Sequence, residues 1–162
     1  MVGELIEIRN RQDLIRALIT ARRIEEAFEE VLHWKGFLTI REERASKLLT
    51  TLVRESETHS RLVDSLIRLI DPMALSSQER KSAPIVIDGD DETQFLRKLL
   101  EGEDTAYYVY SAILGALDHL DWQQVGGEKN AAQFRRLLGQ LVSAERRHRE
   151  LVSELLSTRS GQ

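Results

Sequence analysis

The sequence predicts an all-α fold, a four-helix bundle made of two antiparallel helix pairs joined by a long crossover. Three observations predict it. Apolar residues recur at three- and four-residue spacing through four long stretches. Only two prolines interrupt 162 residues, so long helices have room to run. The connections between the stretches are short, then long, then intermediate, and a long middle link lets the second and third helices run parallel.

The first predicted helix covers about residues 12–35, with Leu14, Leu18, Ala21, Phe28 and Leu32 on one stripe and Gly36 ending it. The second covers about 40–70, with Ala45, Leu48, Leu49, Leu52, His59, Leu62, Val63 and Leu66 inward. Asp71-Pro72 stops it, because a residue before proline is pushed out of the helical region. Residues 72–91 lack helical periodicity and contain Pro84 and Gly89, so they read as the crossover. Residues 84–88 read as extended, with 5–8 as their candidate pairing partner. The third helix covers about 92–120, turning Leu96, Leu99, Leu100, Ala106, Tyr107, Tyr110, Ile113, Leu114 and Leu117 inward. The fourth covers about 130–157, with Phe134, Leu138, Leu141, Val152 and Leu155 inward. Asn130 is its expected N-cap after Gly126-Gly127.

Composition narrows the function classes. Hydrophobic residues make up 41% and charged residues 31%, ordinary for a globular chain and enough for one domain over residues 1–162, with its core at about 12–157. The absence of cysteine excludes disulfide scaffolds, cysteine zinc sites, iron–sulfur clusters and thiol catalysis on this chain. A net charge of −4, mixed in sign, gives no nucleic-acid footprint. The longest uncharged run, 105–117, is too short for a membrane span. Glu4 and Glu7 break any signal-peptide layout, so a soluble cytoplasmic protein is expected.

What interrupts the apolar stripes points to chemistry. Glu25 lies on the stripe of the first helix between Ala21 and Phe28. His59 lies on the line from Leu52 to Leu66, Glu103 interrupts the third stripe, and Glu145 with His148 interrupts the fourth. A single glutamate at a stripe edge usually reaches solvent, and a lone inward histidine is more often a hydrogen-bonded core residue than a ligand. The coincidence across four helices carries the reading, since an unpaired buried carboxylate must pair, protonate or bind a cation. Residues three apart share a helix face, so Glu145 and His148 can approach one ion. Carboxylates with one imidazole per metal suit iron or manganese and also accept zinc. Bridging carboxylates can hold two ions roughly 3.5–4 Å apart.

At these residues the chain resembles the ferritin-like di-iron carboxylate proteins, closest to the rubrerythrin-like branch. That family carries a Glu on the first and third helices and Glu-x-x-His on the second and fourth. Carried over, Glu25 matches the first helix, His59 the histidine of the second, Glu103 the third, and Glu145 with His148 the fourth. One departure stands out: Ser56, not Glu, lies three residues before His59. Glu55, four residues before His59, can still share its face and complete a six-ligand set, whereas Glu57 points away and is expected in solvent. Without Glu55, three carboxylates face two divalent ions, and the second ion is weak, absent or balanced by hydroxide.

The resemblance implies two iron ions, with manganese or zinc as substitutes, and a candidate oxidoreductase of the di-iron peroxidase or oxidase type. Its expected partners are peroxide or dioxygen, an external electron donor (the chain has no cysteine to carry a rubredoxin centre) and a second copy of itself in a homodimer. The alternatives are iron oxidation and storage, or a helical interaction bundle with a degenerate metal site. Tyr107 and Tyr110 follow Glu103 by one and two turns, where a hydroxyl can support a ligand, although core tyrosines are the plainer reading. His33 and His119 are expected to be exposed. Arg146, Arg147 and Arg149 read as a solvated face. Asp88-Gly-Asp-Asp-Glu92 lacks the spacing of a calcium loop and reads as negative charge at a helix N-terminus.

Overall fold

The computed structural model describes residues 6–30, 35–75 and 89–159. All regular structure among them is helical: α1 (Arg11–Glu29), α2 (Glu43–Ile70), α3 (Glu92–Ala116), α4 (Trp122–Val125) and α5 (Glu128–Ser157), with short 3₁₀ turns at Lys35–Thr39 and Leu117–His119. None of these helices is long and apolar enough to cross a membrane. The proposed pairing of 84–88 with 5–8, Leu32 and His33 fall outside the described residues.

Local sequence sets the ends. Asn10 caps α1, its side chain accepting from the Asp13 backbone N–H at 3.0 Å. Asp91 caps α3 in the same way through Gln94. Of the acids that precede α3, Asp91 thus serves as the cap, with Glu92 in the first turn. α2 stops at Ile70, with Asp71 in extended backbone ahead of Pro72.

Several boundaries differ from the sequence expectation: α3 ends at Ala116, short of residue 120, and Leu117–His119 forms a 3₁₀ turn. α1 ends at Glu29, short of residue 35, and Lys35–Thr39 forms a 3₁₀ turn. A short helix, α4, occupies what reads as plain connection, because Asp121 caps it by accepting from the Gln123 N–H. α5 begins at Glu128, so Asn130 is not its cap. Gly127 holds the cap position at φ +88°, a backbone conformation that favours glycine. Asn130 instead donates to the carbonyls of Gly126 (2.8 Å) and Leu69 (3.3 Å), tying the start of α5 to the end of α2.

The four long helices pack side by side: α1 on α2, α3 on α5, α2 on α5 and α1 on α3. Pairings between helices give their directions. Arg11 reaches the Ile70 carbonyl, Arg22 pairs with Asp64 and Ser60 donates to Glu29, so α1 and α2 are antiparallel. Arg159–Glu92, Arg149–Asp104 and Arg135–Asp118 make α3 and α5 antiparallel. Arg44–Glu154 and Arg147–Glu55 do the same for α2 and α5. It follows that α2 and α3 run in the same direction, as a long link between them allows.

The predicted stripes form the core. Leu14, Leu18, Leu49, Leu66, Leu96, Phe134 and Leu138 are fully enclosed, as is Phe95, which the stripe of the third helix did not include. Each such side chain contributes roughly 1.5–3 kcal/mol of burial. Leu48, Leu62, Leu100, Tyr107 and Leu114, also expected inward, are only partly buried and pack at its margin. The same stripes carry Glu25, Ser56, His59, Glu103, Glu145 and His148 into the interior, each at most 5% exposed.

Candidate metal centre

Four helices deliver these groups to one place. Glu25 comes from α1, His59 from α2, Glu103 from α3, and Glu145 with His148 from one face of α5. Helical periodicity explains why they point inward: each occupies a position where the apolar stripe would otherwise place a leucine.

The geometry divides into two halves that share Glu145. In one, His59 Nδ1 lies 2.9 Å from Glu145 Oε1 and 3.5 Å from Glu25 Oε1. In the other, His148 Nδ1 lies 3.4 Å from Glu103 Oε2 and 3.8 Å from Glu145 Oε2. The two imidazoles stack with centroids 5.4 Å apart. Glu145 therefore presents one oxygen to each half. Glu25–His59–Glu145 and Glu103–Glu145–His148 are both close enough to hold a metal ion, as are Glu55, His59 and His148.

These groups are close without being satisfied. Glu25 Oε2, Glu103 Oε2, both oxygens of Glu145 and His59 Nδ1 have no hydrogen-bond partner in the protein. His59 Nδ1 and Glu145 Oε1 stand at ion-pair distance but are misaligned for a hydrogen bond. Burial pushes all three carboxylic acids up: Glu103 to about 8, Glu145 to about 7, and Glu25 upward with the charge of Glu145 adding to it. Burial opposes charge on His59, but Glu145 and Glu25 outweigh it and raise the imidazole to about 10. Three carboxyl groups and two imidazole Nδ1 atoms that converge in the interior, with four carboxylate oxygens unpaired, are what a cation would need. The donor set fits a metal ion.

The remaining candidates take different places. Tyr110 is fully buried, and its hydroxyl donates to Glu25 Oε1 at 2.6 Å, on α1 rather than on its own helix. Tyr107 is only partly buried, its ring beneath the Arg149 guanidinium at 4.5 Å and its hydroxyl accepting from Arg146. Glu55 has a side chain 32% exposed and meets His148 at Nε2, the ring nitrogen opposite the one that faces Glu103 and Glu145. Glu57 and His119 are exposed.

Arg147, read with Arg146 and Arg149 as a solvated face, is exposed. It pairs with Glu55 at 2.6 Å, and Arg149 pairs with Asp104. No periodic signal marks such pairs, because Arg147, Arg149 and Asp104 lie off the apolar stripes. No family model, curated protein or solved structure matches this chain.

Proposed function

We propose that this chain is a di-metal carboxylate protein, built as a ferritin-like four-helix bundle and resembling the rubrerythrin-like branch, that reduces peroxide or dioxygen with electrons from an external donor. The observation that carries the reading is the set of four buried carboxylate oxygens, from Glu25, Glu103 and Glu145, with no hydrogen-bond partner in the protein, facing two imidazole Nδ1 atoms. A purely structural core has no use for such an arrangement.

Glu25 with His59 would hold one ion, Glu103 with His148 the other, and Glu145 would contribute one oxygen to each. Two such ions, iron foremost, would supply the two electrons needed to reduce a peroxide bond or dioxygen, replenished by the external donor. Tyr110 keeps Glu25 oriented by donating a hydrogen bond, and the surrounding apolar side chains exclude bulk water. Reducing hydrogen peroxide to two waters consumes two protons, which would come from solvent, because a bound metal displaces the protons that burial otherwise favours on Glu103 and Glu145.

A second reading has one observation in its favour. Ser56 is buried where the family pattern has a carboxylate, which suits a helical interaction bundle with a degenerate site. Elemental analysis of untagged protein before and after anaerobic ferrous loading separates the two, followed by peroxide addition to the loaded chain. About two irons per chain, oxidised by peroxide, are expected. A folded chain that takes up no iron would leave the interaction bundle.

A further inference from the structure

Glu55 stands apart from the other carboxylates in three ways. It is one-third exposed, whereas the side chains of Glu25, Glu103 and Glu145 are 1% exposed. It lies four residues before His59, while the position three before His59 is the buried Ser56. It also approaches His148 from behind: Glu55 Oε2 is 2.5 Å from Nε2, and the Nδ1 of the same ring faces Glu103 and Glu145.

A neutral imidazole carries one proton and one in-plane lone pair. With the proton on Nε2, His148 donates to Glu55 and directs its lone pair at the interior carboxylates. The other tautomer would set a lone pair against the Glu55 carboxylate. Arg147 Nη2 donates to the same Glu55 oxygen at 2.6 Å, so that oxygen is engaged from two sides and fixed in place. A carboxylate that accepts from the far nitrogen of a ligating histidine fixes its tautomer and ring orientation.

We infer that Glu55 is a positioning residue: it orients His148 and keeps the proton on Nε2, and it does not itself hold a metal ion. The inference rests on the di-metal reading above and reduces the interior set to Glu25, His59, Glu103, Glu145 and His148. Ser56 then leaves that set with three carboxylates. Glu55, His59 and His148 are close enough to share an ion themselves, which makes coordination by Glu55 the competing outcome.

The test uses zinc, a diamagnetic ion these donors accept, with the variants Glu55→Gln and Glu55→Ala. Zinc stoichiometry and affinity come from competition with a chromophoric chelator, and the protonated nitrogen of His148 from its ¹⁵N imidazole resonances at mildly alkaline pH. The glutamine amide oxygen still accepts from Nε2–H, so Glu55→Gln should keep the wild-type zinc number, the Nε2–H signal and an affinity within about threefold. Glu55→Ala should keep the zinc number but bind roughly 10- to 100-fold more weakly, with a less populated Nε2–H form. Loss of one zinc per chain in both variants, or zinc on Nε2 of His148, would overturn the inference. The tautomer is read in the unloaded chain too. A wild-type protein that takes up no zinc therefore defeats the di-metal reading, while the presence of Nε2–H and its loss in Glu55→Ala still decide the orienting role.

Discussion

Two regions of this molecule bury polar groups among apolar side chains, and they resolve the cost differently. At the α4 corner, Trp122 donates its indole N–H to the Leu117 carbonyl at 3.2 Å, and Asn130 donates to Gly126 and Leu69. Those donors are met from within the chain. Midway along the helices, Glu25, Glu103 and Glu145 keep oxygens that accept no hydrogen bond from the protein. Such groups need a proton or a cation, and burial has already pushed Glu103 and Glu145 towards holding protons near neutrality. The contrast separates polar burial that completes a fold from polar burial that prepares a site.

The strongest way to break the comparison is to weaken each region with and without metal. Phe134 is fully buried and packs edge-on to Trp122 at 5.3 Å. Phe134→Ala should cost about 3–5 kcal/mol in urea unfolding, equally in stripped and metal-loaded protein. A cost that depended on metal would mean that the two regions are not independent. Next in size is Glu145→Gln, which removes the carboxylate shared by both halves. At metal concentrations near 100 times Kd, wild-type protein should gain about 2.7 kcal/mol for one site, and the variant should lose that gain. In stripped protein the same substitution should cost little, because losing the His59 contact is offset by removing a buried ionisable group whose oxygens carry no hydrogen bond. Strong destabilisation of the stripped variant would mark Glu145 as a structural ion-pair member instead.

Much of this contrast is legible in the sequence. The stripes locate the four long helices because burial of one face repeats with the helical period, and a carboxylate on such a stripe is conspicuous. Glu25, Glu103, Glu145, His59 and His148 all share that signal. The α4 corner does not, since one helical turn is too short to show a period, and Asp121 capping it resembles any loop aspartate. Asn130 reads as a cap from its neighbours, yet Gly127 takes that position and frees the Asn130 side chain to bridge two helices. The Arg147–Glu55 pairing is equally hidden, because α2 and α5 are far apart in sequence and Arg147 lies off the apolar stripe. Ser56 shows the reverse: the sequence marks the missing carboxylate, and only the three-dimensional arrangement shows Glu55 at the other nitrogen of His148.

The pH dependence sharpens the comparison from another side. Glu103 stands at about 8 and Glu145 at about 7 against an ordinary 4.5, and His59 at about 10 against 6.5. In stripped protein the folded chain therefore keeps protons that the unfolded chain releases. The stability these groups contribute is whole below about pH 4.5 for the acids and 6.5 for His59. It is lost as pH climbs through their folded values, at up to about 1.4 kcal/mol per pH unit for each group in its window. Glu55, Glu92 and Asp13, held below the ordinary carboxylate range, act in the opposite sense but only in acid. Urea midpoints of stripped protein should fall between about pH 5.5 and 9. Metal displaces the same protons, so its affinity should rise over that range and the gap between loaded and stripped protein should widen. A flat profile in stripped protein would mean the carboxylates are hydrated and the centre is open.

The smallest expected effect tests the helical register itself. Glu57 is exposed on α2, two residues before His59, and His119 is exposed beyond α3. Both are metal-capable in type, and Glu57 is nearer in sequence to His59 than Glu55 is. Proximity along the chain would make Glu57 the more damaging loss, but a rotation of about 100° per residue turns it away from the face that carries His59 and Ser56. Glu57→Ala and His119→Ala should therefore leave bound metal per chain at the wild-type level, under conditions where Glu145→Gln lowers it. If Glu57→Ala lowered it as much, α2 would have to present a different face to the centre, and the role of His59 would fall with it.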